Sequence, residues 1–421
     1  MDAIVALAVT VVLNAAVILF LQRRYEPGLL RLVVRTYLAT LALRYLLAVV
    51  LWLNHTNYGF AMMFWGDSGT YDAMGAAVAH GWSDGTTFSS WTTTLEGKAN
   101  RGFIYFVAVI YYVFGQNTLL VQFVNGVIGS LVPIVILEIG LLLYNRKVAT
   151  RAMLFTAFFP QMLFWSSALY KDPAVMLCIS VNILVTLRMK SRFTTLNLAA
   201  YLATAGALVF LRFYIFYTVV AATLVGFLIG QRRGLLFGLF SQIVLVLSVI
   251  VLLLSTSVGQ EMIQQARFLD LEQLQLSRDD LARSAETGFA TDADVSTLPG
   301  LIRFLPVGIV YLLFSPFPWT VSSLRQLLAM PDVLVWYALV PSLIRGLGSA
   351  VRHRLAQTMP ILLFTTALTI AYGAFLGNAG TAYRQRTQIM MFYFLFVADG
   401  MYQKRKRSER AVEEWELAAT P

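Results

Sequence analysis

Carboxylates and guanidinium groups stand at the ends of long apolar runs in this chain, and those are the side chains able to do chemistry. In WGDSGTYDAMGAAVAHGW (65–82), Tyr71 follows Asp67 by four residues, so the two share one helical face, and Asp72 lies beside them. A carboxylate so placed can take a proton from a hydroxyl; Asp67 or Ser68 serves equally as a plain helix N-cap. In SSALYKDPAVM (166–176), Lys171 and Asp172 precede Pro173, which suits a first helical turn. A charged pair this close to hydrocarbon is costly unless it is solvated or used, and an interfacial anchor is its plainer reading. Arg212 stands alone between apolar runs in LVFLRFYIFY, where snorkelling to headgroups is the commoner role. GNAGTAYRQRTQ (377–388) brings Arg384 and Arg386, whose two-residue spacing on an extended turn lets both lean toward one site. Guanidinium groups there can grip a phosphate with two prongs, and anionic headgroups would use the same physics. Together these residues suit a site that holds an anionic leaving group beside a general base.

Other chemistries lack material. One cysteine, Cys178, removes disulfide scaffolds, Cys-rich metal sites and iron–sulfur clusters. Three histidines, His55, His80 and His353, are far apart and give no metal-ligand spacing. Neither a P-loop nor a dinucleotide fingerprint is present, so ATP-driven transport has no support. The net charge of +10 could suggest nucleic acid, but the basic residues fall between hydrophobic runs, where membrane topology accounts for them. No nucleic-acid partner is expected.

The elements that must position these side chains are membrane helices. Of the 421 residues, 58% are hydrophobic and only 13% charged, with mean hydropathy +0.70, whereas soluble chains carry about 25% charged residues. A span needs about 20 apolar residues. Eleven stretches qualify or nearly do: 4–21, 36–53, 118–143, 152–169, 173–187, 195–211, 213–230, 235–256, 331–347, 358–376 and 387–400. With the N-terminus outside, every inner loop is basic: Arg23 to Arg35, Arg146 to Arg151, Arg188 to Arg192, Arg232 and Arg233, Arg345 to Arg354, and the tail from Lys404. The first run lacks a basic n-region and a cleavage site, so it is expected to be a retained span. Two outer segments, 54–117 and 257–330, are too long to be connectors. The first contains an apolar stretch at 102–115 of interfacial length; the second ends in the proline-broken run 301–319, expected to dip in and return, because a full crossing would put the basic 345–354 loop outside. The expected organisation is a membrane module at 1–256, an outer loop at 257–330, C-terminal spans at 331–400 and a basic cytoplasmic tail at 401–421. The fold class is thus an all-α polytopic membrane protein of about eleven transmembrane helices, with interfacial helices in the large outer loops.

The chain resembles the GT-C superfamily of polytopic glycosyltransferases, in its branch of protein O-mannosyltransferase-like and aminoarabinose-transferase-like enzymes. Asp67-Ser68-Gly69-Thr70-Tyr71 is similar to that family's acidic motif in the first outer loop. The stretch from Arg101-Gly102-Phe103 to Phe114-Gly115 is similar to its interfacial helix, SSALYKDP to its second outer loop, and AGTAYRQR to its late Arg-containing turn. The resemblance implies transfer of a sugar from a polyprenyl-phosphate donor to a glycan, lipid or protein acceptor. The site would face the outside of a cell (plasma or inner) membrane. Asp67 would be the general base, with Asp172 or Asp72 orienting the acceptor or the basic residues. Lys171, Arg212, Arg384 and Arg386 would stabilise the departing phosphate by single displacement with inversion, and Tyr71 and Arg101 would line the site. It leaves a divalent cation open as a cofactor. A polysaccharide polymerase or ligase would use the same leaving group. A transporter of lipid-linked glycans would need charge deep within spans, where only Arg44 and Glu138 stand.

Overall fold

The computed structural model describes residues 2–57, 66–85, 101–229, 271–283 and 287–419. Among them the chain is helical throughout, and the one β feature is an isolated bridge between Gly288 and Asn378. In order the helices are α1 (Asp2–Arg24), α2 (Pro27–Asn57), α3 (Gly66–Ser83), α4 (Gly102–Phe114), α5 (Thr118–Leu143), α6 (Arg146–Phe158), α7 (Pro160–Ser167), α8 (Asp172–Ser191), α9 (Thr195–Ile229), α10 (Leu271–Arg283), α11 (Leu298–Phe314), α12 (Leu324–His353), α13 (Leu355–Phe375), α14 (Ala379–Gln385) and α15 (Thr387–Ala419). Seven of them, α1, α2, α5, α8, α9, α12 and α13, contain stretches long and apolar enough to cross a membrane. The protein is an all-α polytopic membrane protein.

Eleven spans were expected, and the difference has local causes. The stretch 152–169 is two helices: Phe159 is extended (φ −67°, ψ 125°) ahead of Pro160, whose missing N–H and ring stop α6 and start α7. The stretches 195–211 and 213–230 form one continuous range, α9, interrupted at Arg212 (φ −157°, ψ 86°). That break reverses the chain. Asn182 of α8 donates to Tyr201 O in the first arm, while Thr186, one turn further along α8, meets Thr223 in the second. Both arms therefore run beside α8, with Arg212 at their tip. The stretch 387–400 opens α15, which is central to the bundle, with residues 389 to 398 all buried. The same helix runs on to Ala419, so the basic segment is helical rather than a separate tail. The expected span 235–256 lies outside the described residues.

The bundle has two chemically distinct ends. Asp172 opens α8 and Arg188 closes it, about 24 Å apart at 1.5 Å per residue. At the Arg188 end, Glu138 of α5 accepts from Arg24 (2.5 Å) and Arg188 (2.6 Å), and Arg354 donates to Leu143 O (2.5 Å). Glu138, one of the two deep charges, thus ties three helices. The other, Arg44, is buried in α2 and donates from Nε to Ser166 Oγ of α7 at 2.6 Å and from Nη1 to Thr40. Gly129 makes the room, because a Cβ there would lie 2.4 Å from Ser166 Cβ and 3.0 Å from Arg44 Nε.

Helix α11 stays at the Asp172 end. Phe304 lies beneath the Arg278 guanidinium (4.4 Å), Gly308 packs on Gly373 two residues before the end of α13, and Leu313 O accepts from Trp336 Nε1 (2.8 Å). At seventeen residues it is shorter than the spans.

Candidate active site

The site is assembled where α8 begins. Asn125 Nδ2 donates to Ala168 O and Tyr170 O, both at 2.9 Å, fixing the short segment between α7 and α8. Pro173 then starts α8. This places the Asp172 carboxylate inside the protein, where it needs partners. Arg384 Nε reaches Oδ2 at 2.7 Å; Arg212 Nη2 reaches Oδ1 at 3.1 Å, and Gln388 Nε2 the same oxygen at 3.4 Å. Arg212 arrives because it occupies the tip of the α9 hairpin, and its Nη1 donates to Tyr214 Oη at 3.0 Å. Tyr214 packs edge-on against Tyr372, which donates to Gln388 Oε1 at 2.7 Å and leaves the Gln388 amide nitrogen facing Asp172.

Arg384 belongs to α14, which is held from outside the bundle. Asn378 caps it, accepting from Gly380 N (2.8 Å) and from Thr287 Oγ1 (2.6 Å). Phe289 N donates to Gly377 O at 2.8 Å and Ala379 N to Thr287 O at 2.9 Å. Besides Asp172, Arg384 contacts Asp67: Nη1 lies 2.7 Å from Oδ2. One guanidinium thus bridges two carboxylates of unlike exposure, since the Asp67 side chain is 56% exposed and that of Asp172 is 0%. Its carbon lies 4.3 Å from the Tyr170 ring centre and 5.7 Å from that of Trp165. Burial works against the Arg384 cation, but Asp172 and Asp67 more than offset it and raise its titration above the ordinary arginine range.

Asp67 stands in the first turn of α3. Tyr71, one turn on, is buried edge-on against Phe103 of α4 at 5.0 Å, and burial, then Asp67, pushes its phenol up. Helices α3 and α4 are held close at Gly75, where a Cβ would lie 2.5 Å from Val107 Cγ1. Arg101 immediately precedes α4, and Gly102 lies against Phe210, two residues before Arg212. Lys171 sits at the start of α8 beside Asp172 without a bonded partner among the described residues, and its amine is brought down to about 7 by burial and by Arg212.

Asp67, Lys171, Asp172, Arg212 and Arg384 are therefore neighbours, although they come from four separate elements. Two expected members are placed elsewhere. Asp72 turns toward α4, accepting from Tyr111 Oη (2.5 Å) and Gln116 Nε2 (3.4 Å), so it braces α3 on α4. Arg386 does not share a site with Arg384. The expectation assumed an extended turn, but Arg386 is helical (φ −53°, ψ −30°), and residues two apart on a helix point about 200° apart. Fully buried, Arg386 donates to Leu313 O (2.8 Å) and Ser315 O (3.1 Å) and holds the turn after α11.

Five residues carry no expectation from the sequence: Gln388, Tyr170, Trp165, and Asp332 with Tyr383, whose phenol donates to both Asp332 carboxylate oxygens at 2.9 Å. Gln388 had a signal, since it follows Arg384 by four residues and shares its helical face. Among the described residues no group of three or more His, Cys, Asp or Glu side chains is placed to hold a metal ion.

No family model and no curated protein matches the sequence. Among solved structures the chain is similar to the oligosaccharyltransferase of Archaeoglobus fulgidus in its apo form, with 13% identity and a TM-score of 0.48. The similarity covers 90% of this chain and 52% of that one, so the chain spans about half the length of the protein it matches.

Proposed function

We propose that this chain is an integral-membrane glycosyltransferase of GT-C type, moving a sugar from a polyprenyl-phosphate donor to a glycan, lipid or protein acceptor on the outer face of the membrane. The observation that carries the reading is the Arg384 bridge, which sets a half-exposed carboxylate and a buried, fully engaged one on either side of a guanidinium. Asp67 is the general base. It takes the proton of the acceptor hydroxyl as that oxygen attacks the anomeric carbon. The carbon–oxygen bond to the phosphate breaks on the opposite face, its electron pair leaves with the phosphate, and the configuration inverts. A phosphate leaves without being protonated, so a second carboxylic acid is not needed.

Asp172 is a positioning residue. Its two oxygens fix Arg212 and Arg384, so that both cations are already oriented when negative charge grows on the leaving group. Arg384 also commits part of its donor set to Asp67. An arriving phosphate competes for that guanidinium and releases the Asp67 oxygen to act as a base.

The test is transfer from a prenyl-phosphate sugar in defined liposomes by Asp67→Asn. Shape and hydrogen bonding are kept while basicity is lost, so turnover falls by about a hundredfold or more, with donor affinity retained. Near-normal turnover by a well-folded Asp67→Asn protein would reduce Asp67 to a carboxylate that stabilises the first turn of α3.

A further inference from the structure

Among the described residues, the cluster around Asp172 holds one more ionisable cation than it has carboxylates. Asp67 and Asp172 face Lys171, Arg212 and Arg384, and both carboxylates are already engaged: Asp172 by Arg212 and Arg384, Asp67 by Arg384. Lys171 is the surplus. It sits at the start of the twenty-residue α8, where the positive end of the helix disfavours a cation. It is half-buried, so part of its hydration is lost. Of the three cationic side chains it alone can shed its proton, because arginine stays charged in proteins.

We propose that Lys171 is neutral in the empty site, takes up one proton as a monoanionic phosphodiester binds, and releases it when the anion departs. The charges then balance in both states, two against two when the site is empty and three against three when it is occupied. The inference rests on the function proposed above, because it takes the phosphodiester of a lipid-linked sugar as the anion. The balance of surrounding groups agrees. Burial and Arg212 from the α9 tip lower the amine to about 7, Arg384 from α14 adds to this, and Asp172 on its own helix and Asp67 on α3 oppose it. An anion added to that set moves the amine back toward its ordinary range.

The sign follows from linkage. Below pH 7 the amine is already charged and binding is insensitive to pH. Above it, each diester must bring a proton, so Kd rises by up to about tenfold per pH unit. The probe is a prenyl methyl phosphodiester, which stays monoanionic across this range, titrated into the full-length protein in nanodiscs from pH 6 to 9. Calorimetry in two buffers of different ionisation enthalpy counts the protons. Wild type is expected to take up close to one proton per diester at pH 8 and almost none at pH 6. Lys171→Arg keeps the charge and binds with no proton uptake at either pH, and Lys171→Met binds more weakly with a flat profile. A wild-type Kd that is flat across pH 7 to 9, or uptake that persists in Lys171→Arg, overturns the inference and leaves the glycosyltransferase reading standing. Absence of diester binding at every pH overturns both.

Discussion

Arg384 and Arg386 show how much two arginines of one short segment can differ. Arg384 lies between Asp67 and Asp172 at 2.7 Å from each, whereas Arg386 is buried against the carbonyls of Leu313 and Ser315. A lysine at 384 offers a point charge in place of a planar fork and cannot meet both carboxylates. Arg384→Lys is therefore expected to lower turnover by about a hundredfold in the liposome assay. Arg386→Lys leaves carbonyls of the α11 turn unmet, which costs about 1–3 kcal/mol of stability, while turnover per folded molecule stays within about threefold of wild type. Thermal unfolding in detergent beside the transfer assay separates the two; a large turnover loss in a stable Arg386→Lys protein would give Arg386 a place at the site. Asp67, Asp172, Arg212 and Arg384 are legible because charge at the end of an apolar run is costly and stands out. Gln388 and Trp165 carry no such mark, and Asp332 lies in a run whose hydropathy hides one carboxylate.

At the scale of elements, the sequence showed where helices break better than what the break does. A charged residue between two apolar arms marked 212 as a turn, and the contacts of Tyr201 and Thr223 with α8 make it a hairpin. Pro160 leaves no such mark, since a proline in an apolar stretch does not change its hydropathy, and the polar residues of Ala379–Gln385 resemble a loop although they are helical. The packing of α3 on α4 was likewise invisible, although it sets the position of Asp67. Gly75 touches Val107 so closely that Gly75→Ala places a methyl 2.5 Å from Cγ1. Overpacking of this kind costs about 1–3 kcal/mol, and the compliant response is a shift of α3 along with Asp67. Gly75→Ala should lower kcat more than it raises KM, and Val107→Ala in the same chain should restore much of the loss. Failure of the double variant to recover activity would mean that the α3–α4 contact does not set the base.

For the whole molecule, the separation of charge between the two ends of the bundle carries the topology. One end gathers Arg24, Glu138, Arg188 and Arg354, the other Asp67, Asp172, Arg212 and Arg384, with α8 running between them. Positive charge collects on the cytoplasmic side because the loops that carry it are not translocated. By that rule the end that carries Arg24, Arg188 and Arg354 is expected to face the cytoplasm. Arg212 and Arg384 stand at the opposite end, and each is matched by a carboxylate. The exposed Lys404 to Arg407 segment of α15 extends the basic end further. Asp84, exposed after α3, should therefore face the outside and Lys404 the cytoplasm. Cysteine labelling measures this directly, since Cys178 is the chain's one native thiol. In a Cys178→Ser background, Asp84→Cys should react with a membrane-impermeant maleimide on intact cells, and Lys404→Cys should react only after permeabilisation. Labelling of both from one side would overturn the proposed placement of Asp67 on the outer face.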